Sequence, residues 1–139
     1  MKSELYALDI PEADYLYTQA SQIPNAGLGL FTAIPLYKGD IIATFKGEVL
    51  NRKEAEFRIQ NKDDDYFMNL PNGCTLDCKN TPGFAKMAND YLYSNFKQNA
   101  IITMNDNKVV LVASKTIQAR QEIFTSYGKN YWERKGANV

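Results

Sequence analysis

From position 15 onward the chain is cut into short runs of β-branched and aromatic residues. "YLYTQAS", "GLFTAI" and "DIIATFKGEVL" follow one another, separated by Pro24, Pro35 and Gly39. Such side chains suit a pleated, half-buried surface, while Pro and Gly interrupt it. The runs predict strands at 15–21, 29–34 and 40–50, the last a single long one. Further on, "YFMNL" and "CTLDC" flank a turn at Pro71, Asn72 and Gly73. "NAIITMNDNKVVLVASKTI" predicts a hairpin that turns at 105–108. Helical signals are few. In "NRKEAEFRIQNK", Asn51 stands as an N-cap with Glu54 three residues on, the pattern of a capping box. "TPGFAKMAND" predicts a helix of one or two turns, capped by Thr81 with Pro82 at its first position. The tail "NYWERKG" reads as a last helical turn. Many short strands with few short helices make a β-rich α+β domain. No internal repeat is visible in the sequence.

The 139 residues are the size of one domain, and a 45% hydrophobic content is enough for one core. Sixteen basic residues balance sixteen acidic ones, so no direct nucleic acid binding is expected from overall charge. A local basic patch would be invisible in that balance. No apolar run approaches the roughly 20 residues needed to span a bilayer. The first residues, "MKSELYALDIPEADY", lack the pattern of a secretory signal. A soluble, intracellular protein is expected, its compartment undetermined. Cys74 and Cys78 read as reduced strand thiols, since a structural zinc site wants four ligands and the chain has no His. No metal site is expected. The lack of His also removes every Ser-His and Cys-His nucleophile. Catalysis here must use Tyr, carboxylates, Lys, Cys, amides or the main chain.

The G-x-G of Gly27, Leu28 and Gly29 asks what approaches the main chain there. A dinucleotide fingerprint needs a third Gly and a following helix. Thr32 stands in that place and a strand follows, which excludes the Rossmann reading. A plain turn remains the alternative to a ligand.

Three ordered segments carry a more specific pattern. The first is "IPNAGLGLFTAIPLYKGDIIATFKGEVL", with its G-x-G, Lys38-Gly39-Asp40 and Phe45, Gly47 and Glu48. The second is "CTLDCKNTPGFAKMAND", with Asp77, Cys78, Lys86, Asn89 and Asp90, and Asn99 after it. The third is "QARQEIFTSYGKNYW", with Glu122, Ile123, Tyr127 and Gly128. In order and spacing the chain resembles the SET-domain protein lysine methyltransferases over about 15–132. The resemblance implies a SET-domain (β-clip-like) fold of small curled sheets with a C-terminal pseudoknot, as a single domain over 1–139. It also implies S-adenosyl-L-methionine as cofactor, and as substrate a lysine-bearing protein or peptide, histones and other basic proteins among the candidates. Gly27, Leu28, Gly29, Lys86, Asn89, Asp90, Tyr127 and Trp132 are the cofactor-binding residues it implies, with Trp132 over the adenine. Tyr127 is the implied catalytic residue. Phe45, Thr125 and Tyr127 would form the substrate channel, the small Thr125 leaving room for more than one methyl.

Such a reaction needs no imidazole. Lysine has a reference pKa near 10.4, so neutralising it at pH 7 costs roughly 4–5 kcal/mol. A dry channel and a nearby positive charge both lower that pKa, and alignment supplies much of the rest. Tyr127 would orient the amine by its hydroxyl. Three positions depart from the family pattern: Asp90 replaces a usual His, Lys86 a usual Arg, and Phe45 a frequent Tyr. They keep a second reading open, a catalytically silent SET-like module that binds cofactor or peptide. A third reading is a small β-rich interaction protein. No cysteine-rich flanks accompany the pattern. The tail after Tyr127, a partner copy in a homodimer, or the peptide itself would then complete the channel. Residues 62–65, "KDDD", read as a solvated loop or as an attractor of a basic peptide.

Overall fold

A computed structural model describes residues 4–70 and 72–128. Among the described residues ten short strands form three small sheets. A helical turn α1 (Glu12–Tyr15) leads into β1 (Leu16–Ala20), β2 (Leu28–Thr32), β3 (Ile41–Thr44) and β4 (Glu48–Leu50). Helix α2 (Arg52–Gln60) follows, then β5 (Phe67–Asn69), β6 (Thr75–Asp77), β7 (Asn89–Asp90), β8 (Ala100–Asn105), β9 (Lys108–Ala113) and β10 (Glu122–Thr125). The sheets run β1-β2-β10-β7, β3-β9-β8 and β4-β6-β5. β10 threads between β2, to which it is antiparallel, and β7, to which it is parallel. Asn99 extends the far side: its amide oxygen accepts from the Phe124 N–H at 2.8 Å, and its amide nitrogen donates to the Glu122 carbonyl at 3.0 Å. The core gathers Leu30, Leu36, Ile42, Leu111, Ile117 and Ile123, all fully buried, where the three sheets meet.

Local chemistry explains several elements. The Asn51 side chain accepts from the Glu54 N–H at 2.9 Å, and the Glu54 carboxylate accepts from the Asn51 N–H at 3.1 Å, closing the expected capping box. The β8–β9 hairpin turns through Asp106 and Asn107, both at positive φ, as a two-residue turn of that twist requires. α2 buries only Ala55 and leaves Phe57 and Ile59 exposed. An ion pair ties it down: Arg58 donates to Asp77 at 2.6 Å and to Glu48 at 3.2 Å. The Glu48 hydrogen bond first, and that to Asp77 second, push the guanidinium pKa further up.

Three expectations change. The run 40–50 is two strands, because at Gly47 the chain passes so near the Asp77 carbonyl that a Cβ would lie 2.3 Å from it. The main chain leaves the β3 sheet there and joins the β4 sheet. The helix expected in 81–90 is a single 3₁₀ turn, Ala85–Met87, with Phe84 and not Thr81 in the cap position. Gly83 adopts φ +153°, which ends any helix from Pro82, and Asn89 and Asp90 are drawn out straight to pair with β10. A helical turn, α1, stands before β1 where none was expected. The turn expected in the tail lies outside the described residues.

Candidate active site

Two hollows meet at one tyrosine. The larger, about 580 Å³, is walled by Leu28, Tyr66, Lys86, Asn89, Asp90 and Tyr127, with Ile23, Ala26, Asp65, Met87 and Leu92 completing it. The smaller, about 30 Å³, is a slot walled by Phe45, Tyr66, Phe67, Met68, Cys78 and Tyr127, with Asp65 and Lys86 at the junction. Asp65, Tyr66, Lys86 and Tyr127 belong to both.

The threading of β10 places Tyr127. Its N–H donates to the Asp90 carboxylate at 2.6 Å, and its hydroxyl donates to the Ala88 carbonyl at 2.7 Å. The other Asp90 oxygen accepts from the Leu92 N–H at 2.7 Å. Asp90 is thus a buried clamp on two main-chain donors, a task for which a carboxylate, an acceptor at both oxygens, is suited. Asn89 reaches across the large cavity and donates its amide to the Leu28 carbonyl at 3.0 Å. Lys86 directs its ammonium at three carbonyls, of Cys78, Lys79 and Thr81, at 3.1, 3.1 and 2.8 Å. It also lies 5.7 Å from the centroid of the Tyr66 ring. The lysine therefore holds the 78–81 loop together, where a planar guanidinium would not match three converging acceptors. Burial first, then Asp77, pushes the Cys78 thiol up to about 11, with Lys86 opposing. That thiol is a neutral wall of the slot at neutral pH.

Of the cofactor residues implied by resemblance, Leu28, Lys86, Asn89, Asp90 and Tyr127 wall the large cavity. Gly27 and Gly29 do not. A Cβ on Gly29 would lie 2.2 Å from a Glu122 carboxylate oxygen, so the approach demanded there comes from the protein's own side chain. Glu122 is buried and held by the Ser21 hydroxyl at 2.7 Å and the Gln22 N–H at 2.9 Å. Gly27 faces open space, and its φ of +73° is the reason for glycine. Trp132 lies outside the described residues. Phe45 and Tyr127 line the slot, but Thr125 does not: it is 1% exposed, and its hydroxyl has no hydrogen-bond partner among the described residues. β-Strand alternation turns Thr125 inward beside β7, away from the slot. Sequence reasoning missed Tyr66, and it read Asp65 only as part of 62–65, a solvated loop or an attractor of a basic peptide. The aromatic at the start of "YFMNL" was the available signal, but only the packing of the β4-β6-β5 sheet aims it.

The threaded strand, the G-x-G segment leading into β2 and the tyrosine at the junction define a SET domain. A SET-domain sequence profile matches residues 27–128, and the chain belongs to that family. It is 27% identical over 105 residues to "Histone-lysine N-methyltransferase EZ2" of Zea mays, and equally so to "Histone-lysine N-methyltransferase EZ3" of the same plant. The matched part is 73% of this chain and only 12% of either relative. Among the described residues no helix is long and apolar enough to cross a membrane.

Proposed function

We propose that the protein is an S-adenosyl-L-methionine-dependent protein lysine N-methyltransferase. The observation that carries this reading is the placement of Tyr127 on the wall shared by a roomy, partly polar cavity and a narrow aromatic slot. The family membership and the named activity of the maize relatives support it. The larger cavity has the volume usual for a cofactor site. Its walls suit an amphiphilic zwitterion, with Ile23, Ala26, Met87 and Leu92 apolar and Asn89, Asp90 and the nearby main chain polar. When bound, the cofactor supplies an activated methyl group on a positive sulfur.

The residues of the chain do the rest. Phe45, Phe67 and Met68 strip water from an entering lysine, which favours its neutral form. The Lys86 ammonium at the junction disfavours a second positive charge and acts in the same direction. Tyr127 presents its hydroxyl oxygen to the amine and fixes its direction of attack, while Asp90 and the Ala88 carbonyl hold the tyrosine still. The free outer edge of β5 adjoins the slot, so a substrate peptide would lie along it as an added strand. Asp65, on the wall shared by the two hollows, draws in the positively charged lysine.

Calorimetric titration with the cofactor, then transfer of labelled methyl to a mixture of basic proteins, tests this. Binding with transfer that falls at least about 100-fold in Tyr127→Phe is expected. Cofactor binding without transfer would instead favour the silent module, for which Phe45, lacking a hydroxyl in the slot, is the favouring observation. Absence of binding would remove both.

A further inference from the structure

The outer face of the β1-β2-β10 sheet carries a third hollow, again about 580 Å³, away from the two that share Tyr127. Alternation along the strands puts Gln19, Phe31, Glu122 and Phe124 on this face. Phe31 and Phe124 are nearly covered, and Phe96 stacks on Phe124 with centroids 4.9 Å apart. Around that floor stand Lys97, Lys115 and Arg120, all exposed. Among the described residues none of the three has an ion-pair partner. The single carboxylate in the lining, Glu122, is buried beneath them and held by Ser21 and Gln22. Three cations against one carboxylate leave two positive charges in excess on a chain whose net charge is zero.

A second observation concerns Arg120 alone. It holds φ +71°, a left-handed conformation that costs a non-glycine residue about 1–2 kcal/mol. The matching place in the turn at 36–40 is Gly39, at φ +96°. At 117–121 the chain keeps a strained arginine where glycine would rest without strain, which points to use of the side chain.

We propose that this hollow binds the phosphodiester backbone of a nucleic acid through Lys97, Lys115 and Arg120. The charge selects an anion. The setting selects phosphodiester over an acidic peptide: β2 and β10, which floor the hollow, are paired on both sides, and the edge strand β1 brings only Gln19 into the lining, so a peptide finds no strand edge to extend within the hollow. Phe31 and Phe124 are too covered to serve as stacking platforms, and Phe96, half-buried, already stacks on Phe124, so binding reads charge and not base identity. The site does not depend on the methyltransferase reading.

Fluorescence anisotropy of the full chain with labelled oligothymidylate, a labelled duplex and a labelled polyglutamate peptide tests it. Binding of at least one nucleic acid is expected, the two arms telling single strand from duplex. For the single strand, log affinity should fall against log salt with a slope near −2, about −0.7 for each of three contacts. Arg120→Gly should weaken binding about tenfold and flatten the slope by about 0.7, with the fold retained and cofactor titration unchanged. Lys97→Ala with Lys115→Ala should remove most of the remainder. Failure of both nucleic acids to bind, equal binding of polyglutamate, or indifference to all three substitutions in a folded protein would each overturn the proposal.

Discussion

In the turn at 36–40 the Tyr37 N–H donates to the Asp40 carboxylate at 2.8 Å, and the Asp40 N–H donates to the Tyr37 carbonyl at 2.9 Å. In the turn at 117–121 the Gln118 N–H donates to the Gln121 side chain at 2.8 Å, and the Gln121 N–H donates to the Gln118 carbonyl at 3.1 Å. Each turn also clasps the end of a strand from the other half. Gly39 and Asp40 bond Ala113 at the end of β9, and Arg120 and Gln121 bond Thr32 at the end of β2. Leu36 and Ile117, both fully buried, pair with each other across the join. β2 and β3 are thus matched by β9 and β10, with the partners exchanged: β3 pairs with β9, and β10 with β2. The backbone repeats; the residues mostly do not. The difference lies in what surrounds each turn. A Cβ on Gly39 would lie 3.1 Å from the Glu4 carbonyl and 3.2 Å from the Tyr6 ring, so space as well as φ demands glycine. Arg120 is exposed, and its turn can carry a side chain at the cost of strain alone.

The largest test of this contrast is Gly39→Arg, which gives the first turn the second turn's residue. It combines left-handed strain with overpacking and should cost about 3 kcal/mol or more, read as a lower urea midpoint at unchanged slope. Next comes a pH effect on the strand after that turn. The Tyr15 hydroxyl donates to the Ile42 carbonyl at 2.5 Å, and burial first, then Glu12 and Asp40, pushes its pKa up to about 12. The unfolded tyrosine loses its proton near pH 10, while the folded one keeps it to about pH 12. Stability from this group is therefore complete below pH 10 and is lost as pH rises towards 12, by about 2 kcal/mol. Tyr15→Phe should flatten denaturation curves over that window. Third, Asp40→Ala should cost about 1–2 kcal/mol and Gln121→Ala about half as much, because a half-buried charged acceptor outweighs an exposed neutral one. Equal losses would show that the two surroundings do not matter. Smallest, Arg120→Gly should raise stability by about 0.5 kcal/mol, strain relief being partly offset by the freedom glycine adds to the unfolded chain. A thermal melt reads the sign.

Features fixed by neighbours in the chain were legible beforehand. The Asn51–Glu54 box, the Asp106-Asn107 turn and most strands depend on a few adjacent residues, and each stands close to where it was expected. The ordered motifs also brought Leu28, Lys86, Asn89, Asp90, Phe45 and Tyr127 to the walls of two adjoining hollows. What could not be read depends on contact between distant segments. The break at Gly47 is caused by Asp77, the absent side chain of Gly29 by Glu122, and the extended course of 89–90 by β10. The repeated turn escaped notice because its hydrogen bonds use main-chain groups and two different acceptors, Asp40 and Gln121.

Order along the chain was enough to determine the family, the β-rich character and the tyrosine that walls both hollows, since each rests on short spans whose chemistry is local. Tertiary structure alone decided that Gly29 makes way for Glu122, which way Thr125 faces, and that three scattered cations share one sheet face. Those outcomes are set by the threading of one late strand between two earlier ones, and excluded volume between remote segments leaves no trace in local pattern.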